Sequence, residues 1–132
     1  MIKQVFYAES YWKVIVFYNL DFDLFYIVEE ELLDIGFSLK SIDTLYYMIS
    51  SEKAKAVTCS NPYFHTSIVL FNYHNSRTDY INSIVHEAEH VKQAMLKAYK
   101  VEDKGEPPAY TIGYLVGRMW EIVGKKLLGC NC

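Results

Sequence analysis

Residues 11–18, Tyr-Trp-Lys-Val-Ile-Val-Phe-Tyr, form a dense β-branched and aromatic run closed by Asn19 and Asp21, and they predict a strand. The apolar spacing then changes. Over residues 22–35 it is helical, with Asp21 placed as an N-cap and Gly36 as the stop. A second helix is expected to follow Ser38 or Ser41, carrying Ile42, Leu45, Tyr46 and Ile49 on one face. Residues 54–60 and 66–73 read as two further strands joined at Asn61-Pro62, where proline forbids a central ladder position, so a hairpin is expected. Between residues 78 and 99, Ile81, Ile84, Val85, Ala88, Val91 and Met95 recur at three- and four-residue intervals and predict a buried stripe on a long helix. A polar break at 100–105 precedes a last helix over 107–128, whose first turn tolerates Pro107 and Pro108 because their missing amide donors cost no helical bond. Gly113, Gly117 and Gly124 recur on or near one side of it and are expected to let the preceding helix approach closely. The expected fold class is α+β. A small antiparallel or mixed sheet of three strands packs on about four helices, helix 78–99 and the C-terminal helix form the core pair, and residues 1–132 make one domain.

Composition narrows the partners. With 132 residues, 52% apolar and 22% charged, the chain can bury a core without disulfide staples. A net charge of −3 and the lack of a long basic block argue against nucleic acid as a partner. Cys59, Cys130 and Cys132 make no even framework, which fits a reducing compartment, and the Cys130-Asn131-Cys132 tail is expected to be a frayed end rather than a metal clip. The opening residues lack a signal-peptide design and no apolar run of about twenty residues is present, so the expected location is cytoplasmic, with no membrane partner. Twelve tyrosines and seven phenylalanines are mostly expected to pack core and boundary, and some can line a groove for extended peptides.

The chemistry concentrates in His86-Glu87-Ala88-Glu89-His90. Helical positions four apart share a face, so both imidazoles can reach one zinc ion while Glu87 projects toward a water on that ion. Two histidines do not complete a catalytic zinc site, which ordinarily has three protein ligands and an open position. Glu106 ranks first as the third ligand because it opens the next helix, and Glu102 and Asp103 in the connection are alternatives. Reach is the difficulty: from His90 to Tyr99 a helix travels about 14 Å. Glu106 therefore meets the metal only if the first helix ends soon after Met95 or the second crosses it steeply, while Glu121 lies about four turns further on and overshoots. Glu89 is assigned to solvent or to a supporting position, and His65 and His74, which bracket a predicted strand, are read as boundary residues that remain possible ligands. Residues 68–72 are expected to form the sheet edge beside the motif helix.

From His86 to about Trp120, roughly a quarter of its length, the chain resembles the gluzincin branch of HExxH zinc metallopeptidases, in which a following helix supplies a glutamate. Glu106-Pro107-Pro108-Ala109 is similar to that branch's glutamate motif, and Ala109-Tyr110 to a pair found in small zincin-like proteins of bacteria and their phages. Gln93 and Leu96 stand where the metzincin branch needs glycine and histidine, and Tyr110 stands where thermolysin-like enzymes place an aspartate. The resemblance implies a zinc-dependent hydrolase acting on a peptide or protein substrate: zinc on His86, His90 and Glu106, Glu87 as general base, and Tyr110, Tyr114 or His74 as oxyanion donor. The alternatives are a catalytically inactive zincin-like module that binds a protein partner, and a structural domain with a fortuitous motif.

Overall fold

A four-stranded mixed sheet in the order β1-β2-β4-β3 is built from β1 (Ile2–Ala8), β2 (Trp12–Tyr18), β3 (Ala56–Asn61) and β4 (Thr66–Phe71), with the two central strands, β2 and β4, buried on both faces. The computed structural model describes residues 1–128, so Cys130 and Cys132 lie outside the described residues. β1 and β2 form an antiparallel hairpin through Glu9 and Ser10, both at positive φ, and β3 and β4 form the second, turning at Asn61-Pro62. The two hairpins join where β2 and β4 run parallel, with Lys13 opposite Thr66 and Phe17 opposite Leu70.

The sheet therefore has four strands where three were expected, the addition being β1. Its inward positions are Ile2, Gln4, Phe6 and Ala8, while Val5 and Tyr7 face out. A polar residue on the buried face and apolar ones on the exposed face mask the period of two. Gln4 is satisfied there, donating from Nε2 to the Arg118 carbonyl at 2.8 Å and accepting from the Tyr18 hydroxyl at 2.6 Å.

Helices cover both faces. On one side, α1 (Phe25–Asp34) and α2 (Leu39–Ser50) pack Val28, Leu32, Ile42 and Ile49 on Ile15, Phe17, Ile68 and Leu70. Asp21 caps a 3₁₀ turn at Phe22–Leu24 that feeds α1, Gly36 ends α1 at φ +90°, and Ser38 caps α2. On the other side lie α3 (Arg77–Tyr99) and α4 (Glu106–Ile122), the latter running into a π-helical turn at Val123–Leu127. Ile84, Ala88, Val91 and Met95 of α3 and Leu115 and Met119 of α4 meet Val14, Val16, Val69 and Phe71 there. Each fully buried aliphatic side chain contributes about 1.5–3 kcal/mol relative to exposure.

Two expectations about this layer need correction. Ile81 and Val85 are exposed rather than core, because α3 is rolled toward β3 and buries Tyr80 and Glu87 instead. Gly113 and Gly117 face open space, so they do not mediate the α3–α4 approach. Among the described residues no helix is long and apolar enough to cross a membrane.

Candidate functional site

Helix α3 carries the motif, and its start is fixed by Ser76, whose Oγ accepts from the Asp79 amide at 3.1 Å. One face of α3 packs on the sheet, so the opposite crest is solvated, and His86 and His90 stand on it, with the His86 side chain 69% exposed. Their Nε2 atoms lie 3.2 Å apart, with the ring planes at 77°. A tetrahedral zinc ion with Zn–N bonds of about 2.0–2.1 Å sets its donor nitrogens about 3.3 Å apart, so the pair already has the spacing of two zinc ligands.

Glu87 sits one step round the helix toward β3 and is buried. Ala56, Thr58 and Ser60 of β3 turn toward the α3 face and Val57 and Cys59 toward α1 and α2, following the two-residue alternation. Thr58 consequently meets Glu87, its hydroxyl donating to Oε1 at 2.9 Å. The other oxygen, Oε2, is left 3.9 Å from His86 Nε2. The carboxylate is thus held at one oxygen and free at the one nearer the imidazole pair. An open groove of about 350 Å³ runs past it, lined by Lys55, Ala56, Asn82, Ser83, His86 and Glu87. Below the groove, His74 is buried with Nδ1 at 2.6 Å from the Asn72 carbonyl and Nε2 at 2.7 Å from Ser83 Oγ. Burial lowers its pKa below the ordinary value, more than the bond to Asn72 raises it. Cys59, behind the groove on β3, has its thiol pushed up to about 12 by burial and by the nearby negative charge of Glu87.

His86, Glu87 and His90 come together; Glu106 does not join them. Helix α3 continues unbroken to Tyr99, which is the case in which the connection cannot bring Glu106 back to His90, and Glu106 stands exposed in the first turn of α4. The connection leaves on the side of Lys92, whose Nζ binds Asp103 at 3.0 Å and Glu89 at 2.9 Å. Burial opposes the charge on Lys92, but these two carboxylates outweigh it and leave its pKa raised. Asp103 and Glu89 are therefore engaged elsewhere, Glu102 pairs with Lys104 and Glu121 with Arg118. His65 stacks on Trp12 across the sheet face. Among the described residues, no group of three or more His, Cys, Asp or Glu side chains forms a metal cage.

The oxyanion candidates separate as well. Tyr110 and Tyr114 line a groove with Tyr7 on the β1 side of the molecule, and the Tyr114 hydroxyl donates to the Tyr7 carbonyl at 3.0 Å. β1 and β3 are opposite edges of the sheet, so these phenols lie across it from Thr58 and Glu87. Of the three, only His74 is beside the motif, one hydrogen bond from Ser83. The expected edge strand also changes: β4 is enclosed by β2 and β3, and the free edge beside the motif belongs to β3. Thr58 was not legible in advance, since a threonine in a strand carries no mark of the carboxylate it will meet.

No protein-family model, no curated protein and no solved structure matches this chain.

Proposed function

We propose that the chain is a zinc-dependent hydrolase of the HExxH type, acting on peptide bonds, with Glu87 as its general base. One observation carries the reading: two imidazole nitrogens 3.2 Å apart on one helical turn, with the free oxygen of a buried, hydrogen-bonded glutamate 3.9 Å from one of them. The donor set fits a zinc ion at two positions, His86 and His90, and does not by itself complete the three-ligand centre usual in catalysis. Zinc bound there supplies an acidified water and a polarising charge.

The rest falls to the chain's own residues. Glu87 Oε2 accepts the proton of a water standing in the groove beside the histidines and returns it to the leaving amine. Thr58 keeps the carboxylate from rotating away by occupying Oε1. β3 is an edge strand whose first residue, Ala56, lines the groove, and its unpaired edge offers backbone groups to an extended polypeptide, which makes a peptide the fitting substrate class. The incomplete donor set favours one second reading, a zinc-binding module that recognises a protein without turning it over.

Metal analysis and turnover by the purified chain test both. Zinc is expected at one ion per chain and is lost in His86→Ala; Glu87→Gln keeps the metal and abolishes hydrolysis of an unbiased peptide library. Full zinc with no cleavage of any peptide leaves the binding module as the answer, whereas a chain that takes up no zinc defeats both readings.

A further inference from the structure

The tyrosines leave a second surface that the metal site does not use. Tyr11, Tyr99 and Tyr110 line a groove of about 380 Å³ between the β1–β2 turn and the α3–α4 junction, floored by Met95, Leu96 and Pro107. A second groove of about 480 Å³, lined by Tyr7, Ser10, Tyr110 and Tyr114, adjoins it. Glu9 and Tyr110 belong to both, so Tyr110, 73% exposed, is the ridge between two clefts and Glu9 an acid at their junction. The walls are firm. Tyr99 meets Tyr11 edge-on at 5.1 Å and Trp12 at 5.9 Å, and Arg118 holds the Tyr114 hydroxyl at 3.0 Å. Arg118 is itself paired with Glu121, whereas Glu9 has no ion-pair partner among the described residues.

Large aromatic rings exposed together, with an unpaired acid among them, are costly to leave bare and mark a docking surface. The backbone decides the kind of ligand. β1 is an edge strand, but at this end its Tyr7 carbonyl is taken by Tyr114, so a ladder of strand-addition bonds is blocked. A polyproline II segment asks for no such ladder. Its pyrrolidine rings fill clefts between aromatic ridges, its exposed carbonyls accept from tyrosine hydroxyls, and it arrives with little conformational entropy left to lose. The free carboxylate of Glu9 selects a cation beside the prolines.

We propose that this surface docks a proline-rich segment in the polyproline II conformation, with an arginine or lysine seated against Glu9. The proposal stands apart from the hydrolase reading, since none of its residues touches His86, Glu87 or His90. Calorimetric titration of the full chain with a short synthetic Pro-Leu peptide bearing one terminal arginine tests it. Saturable binding is expected, weakened about tenfold or more in Tyr110→Ala, an exposed position whose loss leaves the fold intact. Glu9→Lys is expected to reverse the preference between this peptide and one carrying glutamate in place of arginine. The proposal is overturned if the peptide does not saturate, if Tyr110→Ala binds it equally well, or if a Gly-Ser peptide of the same charge competes on equal terms. Binding of a neutral oligosaccharide at the same rings, with no peptide binding, also overturns it.

Discussion

Glu87 places a carboxylate in the buried seam between α3 and β3. Its side chain is 5% exposed, and a single neutral donor, the Thr58 hydroxyl, meets one of its oxygens. Thr58→Val preserves shape and removes that donor, leaving a buried acceptor unmet at a cost of about 1–3 kcal/mol. Urea unfolding is expected to show that loss, and Thr58→Ser to restore most of it; an unchanged midpoint in the valine variant would contradict this account of the contact. The motif itself was legible because His86, Glu87 and His90 are fixed in relation to one another by a single turn of helix. Partners across the fold were not. Thr58 reaches Glu87 from β3 and His74 reaches Ser83 from the end of β4, contacts set by strand pairing and helix roll that no local spacing encodes. The carboxylates weighed as a third ligand could be enumerated from the sequence, but not the two lysines and the arginine that claim three of them.

Among the elements, α3 has the clearest boundaries. Ser76 caps its start and Lys100, in the left-handed conformation at φ 56°, receives its end. Ser76→Ala removes the cap bond and is expected to lower stability by about 1 kcal/mol, read as a lower melting temperature with unchanged secondary structure. Because the cap orients the first turn, the same variant tests whether the helix N-terminus and the Lys55–Asp79 contact at the groove mouth act together. The helices were read closely from spacing and caps, since α1, α2, α3 and α4 each carry a stop or start residue where the pattern changes. Strands were harder. β1 hides its alternation behind Gln4, and β2 and β4, apolar on both faces, announce burial without saying which neighbours they will have. The apolar pattern of β4 therefore does not distinguish the central strand it is from an edge.

At the scale of the whole molecule, His74 ties the end of β4 to α3, bonded to Asn72 on one side and Ser83 on the other. Burial holds its pKa below the ordinary value of 6.5, so just below that pH the unfolded chain binds more protons than the folded one. The stability due to the neutral ring is present above that value and declines as pH falls through it toward the folded pKa. Unfolding free energy is expected to fall as the pH drops through and below the ordinary imidazole value of 6.5, and His74→Gln, though less stable, to show a flatter dependence there. An identical slope in the variant would assign the effect to other groups.

The parallel contact between β2 and β4 has a kinetic meaning. It joins residues more than fifty positions apart, such as Lys13 and Thr66, whereas each hairpin closes locally. Loop closure of that length must be met before the central contact returns any energy, which makes it the slow event in assembly. On a ribosome, the first hairpin emerges early and waits with the pairing edge of β2 unmet until β4 has been synthesised. A nascent chain halted before Phe71 would therefore present sticky, unfinished edges, and chaperone capture should concentrate on that interval of translation.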